Sequence, residues 1–232
     1  MPFNFLEGEI LLFDKPYLWT SFNVVDKVRF LLKKKLLINK IKVGHAGTLD
    51  PMATGLLIIC TGKATKKITQ FQDKEKEYHA FIKFGSTTPS FDLETPIDKI
   101  YDYKHITLEL VERTIKNFIG DIQQIPPIFS AKQVNGKRAY KFARNGENIV
   151  LKPSLVHISY IQILEFELPV LKLKIKCSKG TYIRSLARDI GEKLNSGAHL
   201  IGLQRIAIGE FNIEQSISIE QFENILINIQ QN

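Results

Sequence analysis

The chain has 232 residues and 26.5 kDa, 44% hydrophobic and 24% charged, which excludes a disordered or fibrous protein and supports one large or two small folded domains. Thirty-two Lys and Arg against 24 Asp and Glu leave a net charge of +8 and a pI near 9.3, favouring polyanionic partners, with nucleic acid first, over acidic ones. No apolar run approaches the roughly 20 residues that span a bilayer, Glu7 and Glu9 stand where a signal peptide needs a basic, then apolar, stretch, and two cysteines are too few for a disulfide framework or zinc cluster; a water-soluble, cytoplasmic protein with reduced thiols is expected.

Glu9 to Phe13 reads as a strand ended by Asp14-Lys15-Pro16. Thr20 and Ser21 offer caps for a helix in which Val24, Val25, Val28, Leu31 and Leu32 recur at helical spacing before Lys33-Lys34-Lys35, cations suited to a helix C-terminus. Gly44 to Gly55 is dense in Gly, Thr, Asp and Pro and reads as a shaped loop, and Leu56 to Cys60 as the buried strand that follows. Gly62 to Gln72 predicts a helix, and Glu77 to Phe84 a strand with Tyr78, Ala80, Ile82 and Phe84 on one face. Thr107 caps a helix to about Phe118, after which Pro126-Pro127 breaks the chain.

Ser130 to Gly146 is basic, with Tyr140 and Phe142 interleaved among Lys132, Lys137, Arg138, Lys141 and Arg144, the composition that backbone tracking plus base stacking requires. Ser154 to Glu165 and Val170 to Cys177 predict consecutive strands, Tyr182 to Leu194 a helix, His199 to Ile208 a strand and Ile219 to Ile229 a last helix. Strands arriving in adjacent pairs predict an α+β fold with a central, mixed, mostly antiparallel sheet flanked by helices. No linker, repeat or low-complexity tract divides the chain, so residues 1–232 are expected to form a single domain, with the basic segment, about 125–152, as an insertion.

The five histidines show no metal-ligand spacing, and the phosphate-binding and dinucleotide glycine motifs are absent; neither metal nor cofactor is expected. A metal-free carboxylate is the remaining candidate, and Asp50, between His45 and the Pro51 turn, fits it; the plainer reading is a helix cap or Asx-turn. Arg184, at a helix start where the dipole disfavours a cation, calls for an anionic partner, against the alternative of an exposed, frayed arginine. Tyr78 reads as a core tyrosine or as a stacking or proton-transfer group, and the Lys172, Lys174, Lys176 stripe as a solvated face or a phosphate contact.

Gly44-His45-Ala-Gly47-Thr-Leu49-Asp50-Pro51-Met-Ala-Thr54-Gly55-Leu56 resembles the signature of the TruB family of tRNA pseudouridine-55 synthases around its catalytic aspartate. Lys76-Glu77-Tyr78 is similar to the motif carrying the active-site tyrosine, and Cys177-Ser-Lys-Gly180-Thr-Tyr182-Ile-Arg184 to the one carrying the arginine. Gly197 to Arg205 resembles the segment whose leucine, here Leu203, lines the uracil pocket, and Pro126-Pro127 to Gly146 resembles the RNA-gripping thumb. Order and spacing agree from about Gly8 to Phe211. In two places the chain departs: Leu18 stands where the family usually has Gly, and Gln204 where it commonly has Arg.

The resemblance implies the pseudouridine synthase fold in a short form without a C-terminal PUA domain, and isomerisation of uridine 55 in the T-loop of tRNA. The base is flipped out, detached from C1′, rotated and rejoined through C5. It implies Asp50, Tyr78 and Arg184 as catalytic, with His45, Tyr78, Tyr182 and Leu203 binding the base and Lys15, Lys132, Lys137, Arg138, Lys141 and Arg144 binding RNA. Asp50 would attack C1′ or act as a base toward a glycal. A monomer without metal or cofactor is expected. The other readings are a non-catalytic protein that binds and remodels tRNA, and a pseudouridine synthase for another RNA.

Overall fold

The computed structural model describes residues 3–130, 132–134, 136–139, 142, 147, 149 and 151–229. By contact the chain divides into two compact units, residues 1–77 with 204–232 and residues 78–203, the dividing lines falling inside two strands.

The first unit opens with β1 (Ile10–Lys15), α1 (Ser21–Leu36), β2 (Val43–His45) and β3 (Ala53–Thr61). A 3-10 turn (Gly62–Lys67) and α2 (Ile68–Asp73) follow and lead into β4 (Lys76–Phe84), so the single helix expected from Gly62 to Gln72 is two short ones. β1 and β2 both pair antiparallel with β3, which matches Lys15 with Gly55 and His45 with Ile59. Thr20 caps α1, its hydroxyl accepting from Asn23 N at 3.0 Å. Val24, Val25, Val28 and Leu32 of α1 meet Phe13, Leu57 and Ile59 in one core, while Leu56, Ile58 and Cys60 enter a second core with Ala64 and Phe71. β3 is thus apolar on both faces, which explains its unbroken hydrophobic run. Each fully buried aliphatic side chain there contributes roughly 1.5–3 kcal/mol.

The second unit holds most of β4, then β5 (Ser86–Thr87), β6 (Lys99–Ile100), α3 (Leu108–Lys116) and β7 (Gly120–Gln124). β8 (Gln133–Val134) and β9 (Lys137–Arg138) make a small hairpin, followed by β10 (Ser154–Glu167), β11 (Val170–Cys177), α4 (Ile183–Lys193) and the start of β12 (Ala198–Ile208). β10 pairs antiparallel with β7 and β11. Leu171, Leu173, Ile175 and Cys177 are buried, and the intervening lysines are half-buried. Lys172 and Lys174 stand opposite Glu165 and Gln162, and the Lys172 ammonium lies 5.2 Å from the Phe81 ring. The rest of β12 returns the chain to the first unit, where β13 (Phe211–Asn212) pairs with it and α5 (Ile219–Asn228) packs Phe222 against Phe13 with ring centroids 5.3 Å apart. Among the described residues no helix is long and apolar enough to cross a membrane.

Candidate active site

Asp50 stands in the loop between β2 and β3, and the loop is anchored from several directions. Ala46 N donates to Ile58 O at 2.9 Å, and Ala53 N to Asp50 O at 3.1 Å, closing a turn through Pro51. Ser21, the buried first residue of α1, grips the loop twice: Leu49 N donates to Ser21 Oγ at 2.8 Å, and Ser21 Oγ donates to Leu49 O at 3.1 Å. Thr20 and Ser21 therefore divide the work, one capping the helix and the other fixing the loop.

Arg205 supports the loop from β12. It is 1% exposed and donates from Nε to Leu56 O at 2.7 Å, from Nη1 to Thr48 O at 3.4 Å and from Nη2 to Gly47 O at 3.1 Å. Gly55 lets β12 come this close: its φ is +103°, and a Cβ there would sit 2.3 Å from Arg205 O. Beside Gln204, it is Arg205 that holds the loop, a residue which nothing in the sequence motif marked as a loop support.

Lys15 was expected to bind RNA, and the structure corrects this. The residue is 0% exposed, and its Nζ donates to Pro16 O at 2.9 Å, Trp19 O at 2.5 Å and Pro51 O at 3.4 Å. Three ammonium protons meet three carbonyls, leaving none for a phosphate. Burial brings its pKa down to about 8, against the opposing pull of Asp50; Arg205 lowers it further and Asp14 raises it. His45 ends β2, and its Nδ1 is buried without a hydrogen-bond partner. Burial first, and the Arg205 charge second, hold its pKa below the ordinary histidine value, so the ring is neutral at pH 7.

The departure at Leu18 has a definite geometry. Trp19 N donates to Pro16 O at 3.4 Å, closing a turn whose third residue, Leu18, has φ +66°. Type II turns place glycine there, and an L-residue accepts the conformation at a cost of about 1–2 kcal/mol. Leu18 N donates to Pro51 O at 2.9 Å, tying this turn to the Asp50 loop.

The second unit carries Tyr78, Tyr182, Arg184 and Leu203. Tyr78 is buried on the face of β4 that also carries Ala80, Ile82 and Phe84, as the alternation predicts. Tyr182 is the N-cap residue of α4, and Gln124, buried at the end of β7, holds its backbone: Tyr182 N donates to Gln124 Oε1 at 2.8 Å, and Gln124 Nε2 to Tyr182 O at 3.1 Å. Arg184, in the first turn of α4, is 3% exposed. Its Nη1 donates to Ser90 O at 3.1 Å and its Nη2 to Phe129 O at 2.8 Å, and Asp92 Oδ2 lies 3.6 Å from Nε.

Asp92 is thus one acidic group beside the arginine, and its sequence context gave no sign of it. Its loop is self-supporting: Thr88 Oγ1 donates to Asp92 O at 2.7 Å, Glu94 N donates to Asp92 Oδ1 at 2.9 Å, and Phe91 adopts φ +62° with Arg188 4.7 Å from its ring. In the basic segment, Lys137 is exposed on β9 and Lys132 donates to Ser154 Oγ. Tyr140, Lys141 and Arg144 lie outside the described residues, as does the side chain of Arg138. Among the described residues no group of three or more His, Cys, Asp or Glu is placed to hold a metal ion.

Comparison with known proteins matches residues 33–183 to the TruB family pseudouridylate synthase N-terminal domain and residues 184–232 to the tRNA pseudouridylate synthase B C-terminal domain. The tRNA pseudouridine synthase B of Parabacteroides distasonis is 57% identical over 96% of this chain and 95% of its own length. Those of Phocaeicola vulgatus and Flavobacterium johnsoniae are 59% and 49% identical, covering 94% and 97% of this chain and 93% and 99% of theirs. Among solved structures, a chain of a Cbf5-Nop10-Gar1 complex superposes with a TM-score of 0.70 at 27% identity over 95% of this chain. A chain of an H/ACA RNP bound to a substrate RNA containing 2'-deoxyuridine gives 0.68 at 26% over 95%. This chain spans about half of each of those, 54% and 53%.

Proposed function

We propose that this chain, which belongs to the TruB family of pseudouridylate synthases, isomerises uridine to pseudouridine in tRNA, with the T-loop uridine 55 as its target. The observation that carries the reading is the anchoring of the Asp50 loop. Ser21, Lys15 and Arg205, from three separate elements, fix the backbone on both sides of one carboxylate. A cap or Asx-turn would not call for two buried cations beside it. A nucleophile that must meet a ribose carbon within a few tenths of an ångström does.

A uridine stacked in the tRNA loop must first leave its stack, at a cost of a few kcal/mol, and be received by stacking and apolar groups. Tyr78, Tyr182, Leu203 and the neutral His45 are of the kind such a pocket needs. Asp50 then attacks C1′, or removes a ribose proton on the way to a glycal, and the C1′–N1 bond breaks. The uracil turns and C5 bonds to C1′ as the Asp50–C1′ bond breaks, or, on the glycal route, as the ribose proton returns; N1 gains a proton and the C5 proton is lost to a base. Tyr78 serves there, directly or through a relay. Arg184 supplies the planar, permanent cation that keeps the reacting carboxylate ionised. Lys137, together with Lys132, Arg138, Lys141 and Arg144 of the thumb-like segment, steers the phosphate backbone.

The C5 proton provides the test. A tRNA transcript made with 5-tritiated uridine should release tritium at one site when treated with the wild-type chain as a monomer, with a metal chelator present. Tight binding without release would point to a remodelling protein, and release only from other RNAs would reassign the substrate.

A further inference from the structure

We propose that Leu18 is a substrate-positioning wedge, an apolar side chain held beside the Asp50 loop to stand in for the base that leaves the RNA stack. The inference rests on the functional reading above and adds a residue to it. Two observations mark Leu18; Leu37 shares both, at φ +53° and 82% exposed, as the left-handed C-cap of α1, so what distinguishes Leu18 is its tie to the Asp50 loop. Its backbone lies at φ +66° in the third position of a turn where glycine would be unstrained. Its side chain is 62% exposed, so burial returns little to offset that strain. Backbone and side chain both favour glycine for stability, and the fold gives no reason for leucine. At a residue bonded to the Asp50 loop and capping no helix, strain kept at an exposed position points to a role outside the fold itself.

The identity of the occupant follows from what Leu18 is tied to. Its N–H donates to Pro51 O at 2.9 Å, and the Lys15 ammonium reaches Pro16 O at 2.9 Å and the same Pro51 O at 3.4 Å. The turn and the Asp50 loop therefore move together, and the RNA that presents a ribose to Asp50 is brought to Leu18 as well. Tyr17, 51% exposed, adds a flat apolar surface, its hydroxyl donating to Met52 Sδ at 3.1 Å across the same junction. Extruding a base leaves a gap between its former neighbours, and leucine is among the side chains that wedge into opened base steps. A wedge of this kind raises the share of substrate with the uridine extruded.

Four proteins test this: wild type, Leu18→Gly, Leu18→Asn and Leu18→Met. Glycine and asparagine tolerate the left-handed turn, so both should melt at or above the wild-type temperature. Tritium release would be measured on an unmodified tRNA transcript and on the same transcript with an abasic ribose 3′ of the target, where there is less stacking to break. On the intact transcript, kcat/KM should fall about tenfold for Gly and Asn and stay within about twofold for Met. On the abasic transcript the differences should close to less than about twofold. Equal kcat/KM for Leu18→Gly and wild type on intact tRNA overturns the wedge, as does a tenfold loss that persists on the abasic transcript. Absence of release by the wild type from either transcript overturns the functional reading and the wedge with it.

Discussion

The guanidinium of Arg205 lies against the backbone of Gly47, Nη2 donating to its carbonyl at 3.1 Å, while Nε of the same side chain donates to Leu56 O at 2.7 Å. One rigid fork thus fixes the loop both before and after Asp50. The planar guanidinium holds these donors in one rigid fork, set to reach carbonyls on both sides of the loop.

Arg205→Met should remove donors from Leu56 O, Gly47 O and Thr48 O in a dry environment, where an unsatisfied polar group costs about 1–3 kcal/mol. The expected loss of stability is about 3 kcal/mol, read from urea unfolding. Displacement of the loop should lower kcat about a hundredfold with a smaller change in KM. Arg205→Lys should recover part of the stability and little of kcat. An Arg205→Met protein with normal kcat would show that the loop holds its place without the fork.

Lys15 gives a pH signature. With a pKa of about 8, it loses its third proton just above neutrality, and one of Pro16 O, Trp19 O and Pro51 O then loses its donor. Activity should decline on an alkaline limb with a midpoint near pH 8, and Lys15→Arg should move that limb to higher pH. The stability effect has the opposite sign. A folded-state pKa below the ordinary lysine value means that folding disfavours the proton; the penalty is full below about pH 8 and fades toward 10.5, so Lys15 adds stability as pH rises through that window. Loss of activity without a parallel loss of melting temperature is therefore the expected pair of profiles. An alkaline limb that does not move in Lys15→Arg would assign it to another group.

Asp92 and Arg184 form a nearly dry pair, 4% and 3% exposed, with Nε to Oδ2 at 3.6 Å. Breaking such a pair from one side leaves a buried charge less well compensated, and Asp92→Asn should cost about 3 kcal/mol. In a double-mutant cycle with Arg184→Met, the two losses should be less than additive by about 1–3 kcal/mol. Strict additivity would mean that Asp92 supports its own loop and not the arginine.

The elements with strong periodicity were legible in the sequence. The helix from Ser21, the strands at 154–167 and 170–177 and the helix from Ile183 lie within a few residues of where apolar spacing and caps place them. Their register with the core is dictated by burial alone. The short strands at 43–45, 86–87, 99–100 and 120–124 were not legible, because two to five residues carry no period and form only where a partner strand supplies the hydrogen bonds. The same distinction holds at the site. The density of Gly, Thr, Asp and Pro around Asp50 marks a shaped loop, and the position of Arg184 against the helix dipole calls for an acid. That the acid includes Asp92, that Arg205 grips the loop and that Lys15 turns inward are consequences of tertiary contact. No local composition separates an inward lysine from a solvated one.

The most direct test of the central claim replaces the carboxylate and preserves its shape. Asp50→Asn and wild type would be compared by site-mapped pseudouridine formation on an unmodified tRNA transcript, with binding measured in parallel at the same salt concentration. The account predicts pseudouridine at the T-loop uridine from the wild type, none from Asp50→Asn, and tRNA affinity within about threefold of wild type for the variant, since Ser21, Lys15 and Arg205 hold the loop through hydrogen bonds to its backbone that the substitution leaves in place. Residual turnover at that uridine by the purified Asp50→Asn protein would contradict nucleophilic catalysis by Asp50.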